Sequence, residues 1–266
     1  MNGPVVVGVD GSPSSLAAVE TAAREAERRG VGLELAHALD WSSGPVPPGV
    51  APWDPDGAGL RDRVNEALTD AEWRARKVAP ELAITREVLV GEAVSVLESE
   101  ARSASLAVVG TRRVSGLRRL LYGSVAARLT ADAPCPVLVV CGRQNPTGPV
   151  VLADVSAAAR EAAEFAFAEA SGRGVDLLVL HHHRDRRSSA DALFGLREKY
   201  PDVTVRTRPD RGRRHRALAE ASVRAQLVVA GVRRRGGTAA ALSAPDGRAI
   251  LRYAHCTVAL VPSGKA

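Results

Sequence analysis

The sequence predicts an α/β protein: two doubly wound domains, each a five-stranded parallel sheet flanked by helices. Three observations predict it. Short apolar runs alternate with helical patterns along the 266 residues, which implies right-handed crossovers and a parallel sheet covered on both faces. The alternation occurs twice. VVVGVDGSPSSLAAVETAAREAERRGVGLELAHALD (5–40) overlays PVVLADVSAAAREAAEFAFAEASGRGVDLLVLHHHR (149–184) without a gap, Asp10 on Asp154 and His37 on His181. LAVVGTRRVSGLRRLLYGSVAARLTADAPCPVLVV (106–140) overlays LVVAGVRRRGGTAAALSAPDGRAILRYAHCTVALV (227–261), Gly110 on Gly231 and Cys135 on Cys256. Finally, hydrophobic residues make up 45% of the chain and aromatic ones only 3%, so the core is aliphatic. The domains run 1–145 and 146–266, with the turn-rich NPTGP (145–149) at the joint.

The elements of the first copy follow from local chemistry. VVVGV (5–9) is a strand bounded by Asp-Gly-Ser. Ser12 is an N-cap and Pro13 is preset for the first helical position, so a helix runs from there to about Arg29, where Gly30 and Gly32 stop it. GLELAHA (32–38) is the second strand. Residues 59–78 place Leu60, Val64, Ala67, Leu68, Ala71 and Val78 near one helical face. ITREVLV (84–90) is the third strand; Gly91 ends it and a helix follows over 92–103. LAVVG (106–110) and PVLVV (136–140) are short, wholly apolar runs, as expected of strands buried on both faces. A helix opens at Val125. The middle of the first copy is the longer, and the excess includes PWDPDGAG (52–59).

Charge and composition exclude several classes. No run of eighteen apolar residues spans a membrane, and the N-terminus lacks the pattern of a signal peptide. Three cysteines make no disulfide framework and have no metal-ligand spacing; Cys135 and Cys256 precede buried strands and read as packing residues. These features point to the cytoplasm. Residues 1–145 carry 16 Lys+Arg against 18 Asp+Glu, and residues 146–266 carry 20 against 12. The basic half scatters its arginines without interleaved aromatics, which favours solvated side chains over a nucleic-acid surface. The chain has no GxxxxGK[ST], no GxGxxG after the first strand and no GxSxG, so P-loop, dinucleotide-binding and hydrolase readings fall. In HHH (181–183) adjacent side chains of a strand point to opposite faces and cannot converge on one metal ion.

Three segments meet at the carboxyl edge of the first sheet, where ligands of such folds bind. Asp10 follows the first strand and either accepts hydrogen bonds from a ligand or closes an Asx turn. His37 and Ala38 end the second strand. The third segment is VVGTRRVSGLRRLLYGSV (108–125): Gly110 closes a strand, and Gly123-Ser124 precedes a helix whose N–H groups attract anions. Arg112, Arg113, Arg118 and Arg119 add charge between them. Gly at a strand end and Ser at a helix start are equally at home as structural punctuation.

At these residues the chain resembles the universal stress protein family, as a tandem of two domains. The resemblance is carried by VVVGVDGS, LELAHA, VLVGEA and the block from VVGTRR to APCPVLVV. It implies a Rossmann-like domain, dimerisation through the last strand, and in some members an ATP-binding loop of the form G-x-x-G-x(9)-G-[ST]. Gly110, Gly123 and Ser124 fall on three positions of that loop, and Arg113 stands where the second glycine is usual. The resemblance further implies that Asp10 and Ala38 lie at adenine or ribose, and that Val9 and Val125 line the same pocket. In the second copy Arg234, Ala244 and Pro245 replace the loop's later residues. Pro245 has no N–H to offer a phosphate, so nucleotide binding is expected in the first copy only. If position 113 needs a positive φ, arginine there costs about 1–2 kcal/mol, roughly tenfold in affinity, while its guanidinium is a strong phosphate donor.

The expectation is therefore a cytoplasmic, non-enzymatic stress protein that binds ATP, alone or with magnesium, with little hydrolysis. The alternative is a nucleotide-free interaction module whose copies pair through their last strands (136–140 and 257–261), within the chain or as a homodimer.

Overall fold

The computed structural model describes residues 3–40, 59–111, 125–141, 147–153, 160–181, 186–210, 214–233 and 250–263. The chain forms two compact units that divide between Arg112 and Arg113. The first contains β1 (Val5–Gly8), α1 (Pro13–Arg29), β2 (Leu33–Leu39), α2 (Leu60–Val78), β3 (Ile84–Val90), α3 (Ala93–Glu100) and β4 (Leu106–Gly110). The second contains α4 (Val125–Asp132), β5 (Val137–Val140), β6 (Val150–Leu152), α5 (Arg160–Arg173), β7 (Leu177–His181), α6 (Arg186–Lys199), β8 (Val205–Pro209), α7 (Arg214–Ser222), β9 (Leu227–Arg233) and β10 (Thr257–Ser263). Among the described residues, no helix is long and apolar enough to cross a membrane.

In the first unit the strands lie in the order β3-β2-β1-β4 and every pair is parallel. The chain winds outward from β1 through β2 to β3, then returns to place β4 on the other side of β1. The carboxyl ends of β1 and β4 thus flank a topological switch point, the crevice where open α/β sheets take their ligands. Val5, Val7, Leu33, Leu35 and Leu106 are buried. Side chains alternate across a strand. An added Cβ at Gly8 would meet Leu97 of α3 at 3.0 Å, so the even positions of β1 face α3 and the odd positions face α1.

Helix α1 forms as its sequence requires. The Ser12 hydroxyl accepts the Ser15 amide, Pro13 opens the first turn, and Gly30 ends the helix with its N–H on the carbonyls of Ala26 and Glu27. Its buried face is made of Leu16, Ala18, Val19, Ala22, Ala23 and Ala26, small enough for the helix to lie close on the sheet. Glu25, only 1% exposed, is buried between two arginines: Arg28 holds one oxygen at 2.5 Å and Arg29 approaches the other at 3.7 Å. Burial lowers the Arg29 pKa, and the Glu25 carboxylate opposes that shift. The second copy repeats the device in α5, where Glu169 is ion-paired with Arg173.

The second unit places its strands in the order β5-β10-β9-β6-β7-β8. Five run parallel, as expected for one copy. The first copy's last strand, β5, also falls in this unit, and it pairs antiparallel with β10 through Val139↔Val258, Leu138↔Ala259 and Val137↔Leu260. All four β5 residues are buried. A strand apolar on both faces needs its hydrogen-bonding edge covered as well, and β10 supplies that cover.

One expectation is corrected. The ungapped overlay of residues 5–40 on 149–184 fails at the first strand. Val5 pairs with Leu33 and Leu106, whereas Val150 pairs with Leu177 and Leu227. Val5 therefore corresponds to Val150, one residue beyond the partner that the overlay assigns, while Leu33 and Leu177 correspond as expected. The second copy is one residue shorter between β6 and β7. Two runs of valine slide past each other without penalty in a sequence comparison, and only the strand pairing reveals the slip.

Candidate functional site

The carboxyl edge of the first sheet gathers Val9 and Asp10 after β1, Ala38 in β2 and Gly110 at the end of β4. Parallel register sets them there: Gly8 pairs with Ala36, and Val7 pairs with both Leu35 and Val108. Val9 is buried and anchored by its N–H on the Ala36 carbonyl at 2.9 Å. Asp10 is exposed, and Ala38 is half-buried.

Asp10 begins a tight turn. Its Oδ1 accepts the Ser12 amide at 2.9 Å and the Ser12 hydroxyl at 2.5 Å. Gly11 between them has φ 73, a left-handed conformation that glycine adopts without strain. Of the two roles open to Asp10, the Asx turn is realised. The carboxylate orients the Ser12 hydroxyl, which in turn caps α1 at the Ser15 amide, 3.3 Å away. Ser15 returns two bonds: its Oγ accepts the Asp10 amide at 3.3 Å and donates to the Ser12 carbonyl at 3.0 Å. Ser14 joins through its Oγ, 3.0 Å from that of Ser12. Reading the sequence for ligand contacts alone passes over Ser14 and Ser15; the spacing of D-G-S-P-S-S is the available signal.

Gly110 has a physical role of its own. A Cβ built on it would lie 2.1 Å from the Ser14 carbonyl oxygen and 2.5 Å from that carbon. The space a side chain would need is filled by the first turn of α1. Glycine therefore lets the helix start against the end of β4, the close helix–strand approach that a Rossmann-like fold requires of one of its glycines. Asp10, the serine network and Gly110 thus hold the N-terminus of α1 at the switch point between β1 and β4.

Val125 is half-buried and opens α4 in the second unit. Arg112, Arg113, Gly123 and Ser124 lie outside the described residues, as do Asp154, Arg234, Ala244 and Pro245 of the second copy. His37 faces the side of the sheet opposite Ala38, and its Nδ1 is buried without a hydrogen-bond partner among the described residues. His181 is buried at the end of β7, and its carbonyl accepts the Asp210 amide at 3.0 Å. Among the described residues, no group of three or more His, Cys, Asp or Glu side chains could hold a metal ion. The carboxyl whose pKa is raised in the first unit is remote from the crevice. Glu34, near the start of β2, is pushed up to about 7 by burial and by the neighbouring carboxyls of Glu100 and Glu87.

Residues 1–140 match the sequence profile of the universal stress protein family. A universal stress protein of Mycobacterium tuberculosis strain H37Rv is 33% identical over 283 residues, which cover 96% of this chain and 94% of the relative. The crystal structure of a universal stress protein from Archaeoglobus fulgidus superposes over 100% of this chain and 98% of its own, with a TM-score of 0.78 and 19% identity. A universal stress protein solved in complex with cAMP is 30% identical over 52% of this chain and 94% of its own length, with a TM-score of 0.40.

Proposed function

This chain belongs to the universal stress protein family, and from that premise we propose that its first repeat, residues 1–145, binds ATP and turns it over little. The observation that carries the proposal is the switch-point crevice between β1 and β4, framed by the Asp10–Ser12 turn and by Gly110. Adenosine rests against Val9, Asp10 and Ala38. The phosphates rest on the segment that runs on from β4, where Arg112, Arg113, Gly123, Ser124 and Val125 supply amide donors, a hydroxyl and positive charge. Anionic oxygens favour such a place because helix N-termini and guanidinium groups compensate charge there. Magnesium accompanies the nucleotide through its phosphates and needs no dedicated protein cage.

No histidine or carboxylate of the turn is free of a structural task that would let it activate a water molecule: Oδ1 of Asp10 already holds Ser12. This supports the reading of binding without rapid hydrolysis. Isothermal titration with ATP and magnesium tests the proposal, with phosphate release as the second readout. Heat of binding that disappears in Gly123→Asp, together with slow phosphate release, supports it. No heat at high micromolar nucleotide overturns it.

A second reading draws on the β5–β10 pair. In it, the two repeats (1–145 and 146–266) serve as a scaffold whose last strands meet within one chain, as two chains would in a homodimer. Protein that purifies without nucleotide and stays monomeric, yet takes up no ATP, favours this reading over the first.

A further inference from the structure

The antiparallel pairing of β5 with β10 has a chemical consequence at its end. Continuing the register of Val139↔Val258 by two residues sets Cys141 opposite Cys256. There the Cys141 Sγ donates to the Cys256 carbonyl oxygen at 3.0 Å. Residues directly opposite in antiparallel strands have Cα atoms about 4.5–5.5 Å apart, within the roughly 4.4–6.8 Å that a disulfide spans. The same register sets Cys135 opposite Pro262, so the third cysteine has no thiol across from it.

We propose that Cys141 and Cys256 form an oxidation site, closed to a disulfide by peroxide, that covalently joins the last strand of the first repeat to the last strand of the second. Cys141 is half-buried and Cys256 is 1% exposed, so the oxidant reaches Cys141 first. The Cys141 thiolate attacks one peroxide oxygen; an S–O bond forms, the O–O bond breaks, and water leaves after protonation. The resulting sulfenic acid is then attacked by the Cys256 sulfur. An S–S bond forms, the S–O bond breaks, and the departing hydroxide takes the Cys256 proton as water. Two thiols lose two electrons, and hydrogen peroxide is reduced to two waters. Burial, with Cys141 beside it, pushes the Cys256 thiol up to about 12, which keeps that sulfur protonated and leaves Cys141 as the first to react.

The strands stay paired without the disulfide. The ladder of Val137–Val139 with Val258–Leu260 holds the strands together in the reduced state. The disulfide is added to a pairing that already exists, so both redox states keep the same fold.

The full-length chain is treated with hydrogen peroxide, its remaining thiols are alkylated, and the protein is analysed by intact mass and peptide mapping without reduction. The expected result is one alkyl group where the reduced chain takes three, with a loss of about 2 Da beneath that addition, a cross-linked peptide pair containing Cys141 and Cys256, and full reversal by dithiothreitol. Cys135→Ser retains the cross-link, whereas Cys141→Ser and Cys256→Ala lose it. A dimedone adduct trapped on Cys141 in the Cys256→Ala variant identifies the first sulfur to react. A cross-link through Cys135, a disulfide between two chains, or only irreversible gain of oxygen on Cys141 overturns the proposal. The wild-type peptide map decides the matter even if a variant folds poorly.

Discussion

Gly110→Ala should damage this protein although alanine is the better residue for most backbone positions. The added Cβ would stand 2.1 Å from the Ser14 carbonyl oxygen, 2.5 Å from its carbon and 3.0 Å from the Ser15 nitrogen. Ordinary contact requires about 3.4 Å, so the first turn of α1 or the end of β4 must move by roughly 1 Å; overpacking of this kind costs about 1–3 kcal/mol. The atoms in the way are backbone, fixed by the Ser12 cap and the Asp10 turn, and cannot swing aside as a side chain would. The upper end of the range is therefore expected, about 2–3 kcal/mol, against the roughly 0.5–1 kcal/mol that alanine ordinarily gains over glycine. Urea unfolding followed by circular dichroism measures it. Gly195→Ala in α6 is the control: nothing lies within 4 Å of its added Cβ, and a gain of about 0.5–1 kcal/mol is expected. If Gly110→Ala unfolds at the wild-type midpoint, the close approach of α1 to β4 is not what holds this edge together. Because α1 frames the proposed nucleotide crevice, the same variant should also weaken ATP binding.

Ser12→Ala removes the cap of α1 and the partner of Asp10, and should cost about 1 kcal/mol in the same unfolding assay. Glu25→Ala strips the buried carboxylate from Arg28 and Arg29 and should cost about 2–3 kcal/mol, less than for a wholly buried pair because both arginines reach water. Glu34 makes stability pH-dependent. Its folded pKa, about 7, lies above the unfolded value near 4.5, so the fold holds the proton more tightly; its contribution is complete at acid pH and is lost as pH rises through 7. Glu34→Gln cannot ionise, and should match wild type near pH 4.5 and exceed it at pH 8 by about 1–2 kcal/mol, after allowing for water around a half-buried side chain. Equal stability of the two proteins at both pH values would refute the assignment.

Local chemistry made much of the first unit legible. Ser12, Pro13 and Gly30 delimit α1 because capping and φ restriction act within a few residues. ITREVLV coincides with β3, and LAVVG with β4. The helix expected over 92–103 stops at Glu100, since Arg102 and Ser103 continue in turns bonded back to Ser99 and Glu100. At the site, Asp10 and Gly110 were legible as positions but not as roles. A carboxylate after a strand suits a ligand as well as a turn, and nothing in the sequence says that Ser14 will occupy the space beside Gly110.

The alternation of apolar runs with helical periods, the duplication and the aliphatic composition determined the α/β class and the two copies, and local capping determined the bounds of α1. These are properties of neighbours along the chain, where sterics and hydrogen bonds act at short range. The tertiary structure alone decided that β5 runs antiparallel to β10, that β1 and β6 correspond with a one-residue slip, and that Cys141 comes to lie opposite Cys256. Strands such as VLVV and VVL are apolar on both faces and carry no mark of partner, direction or register. Those are chosen by the edges and surfaces that must be buried together, brought from more than a hundred residues apart.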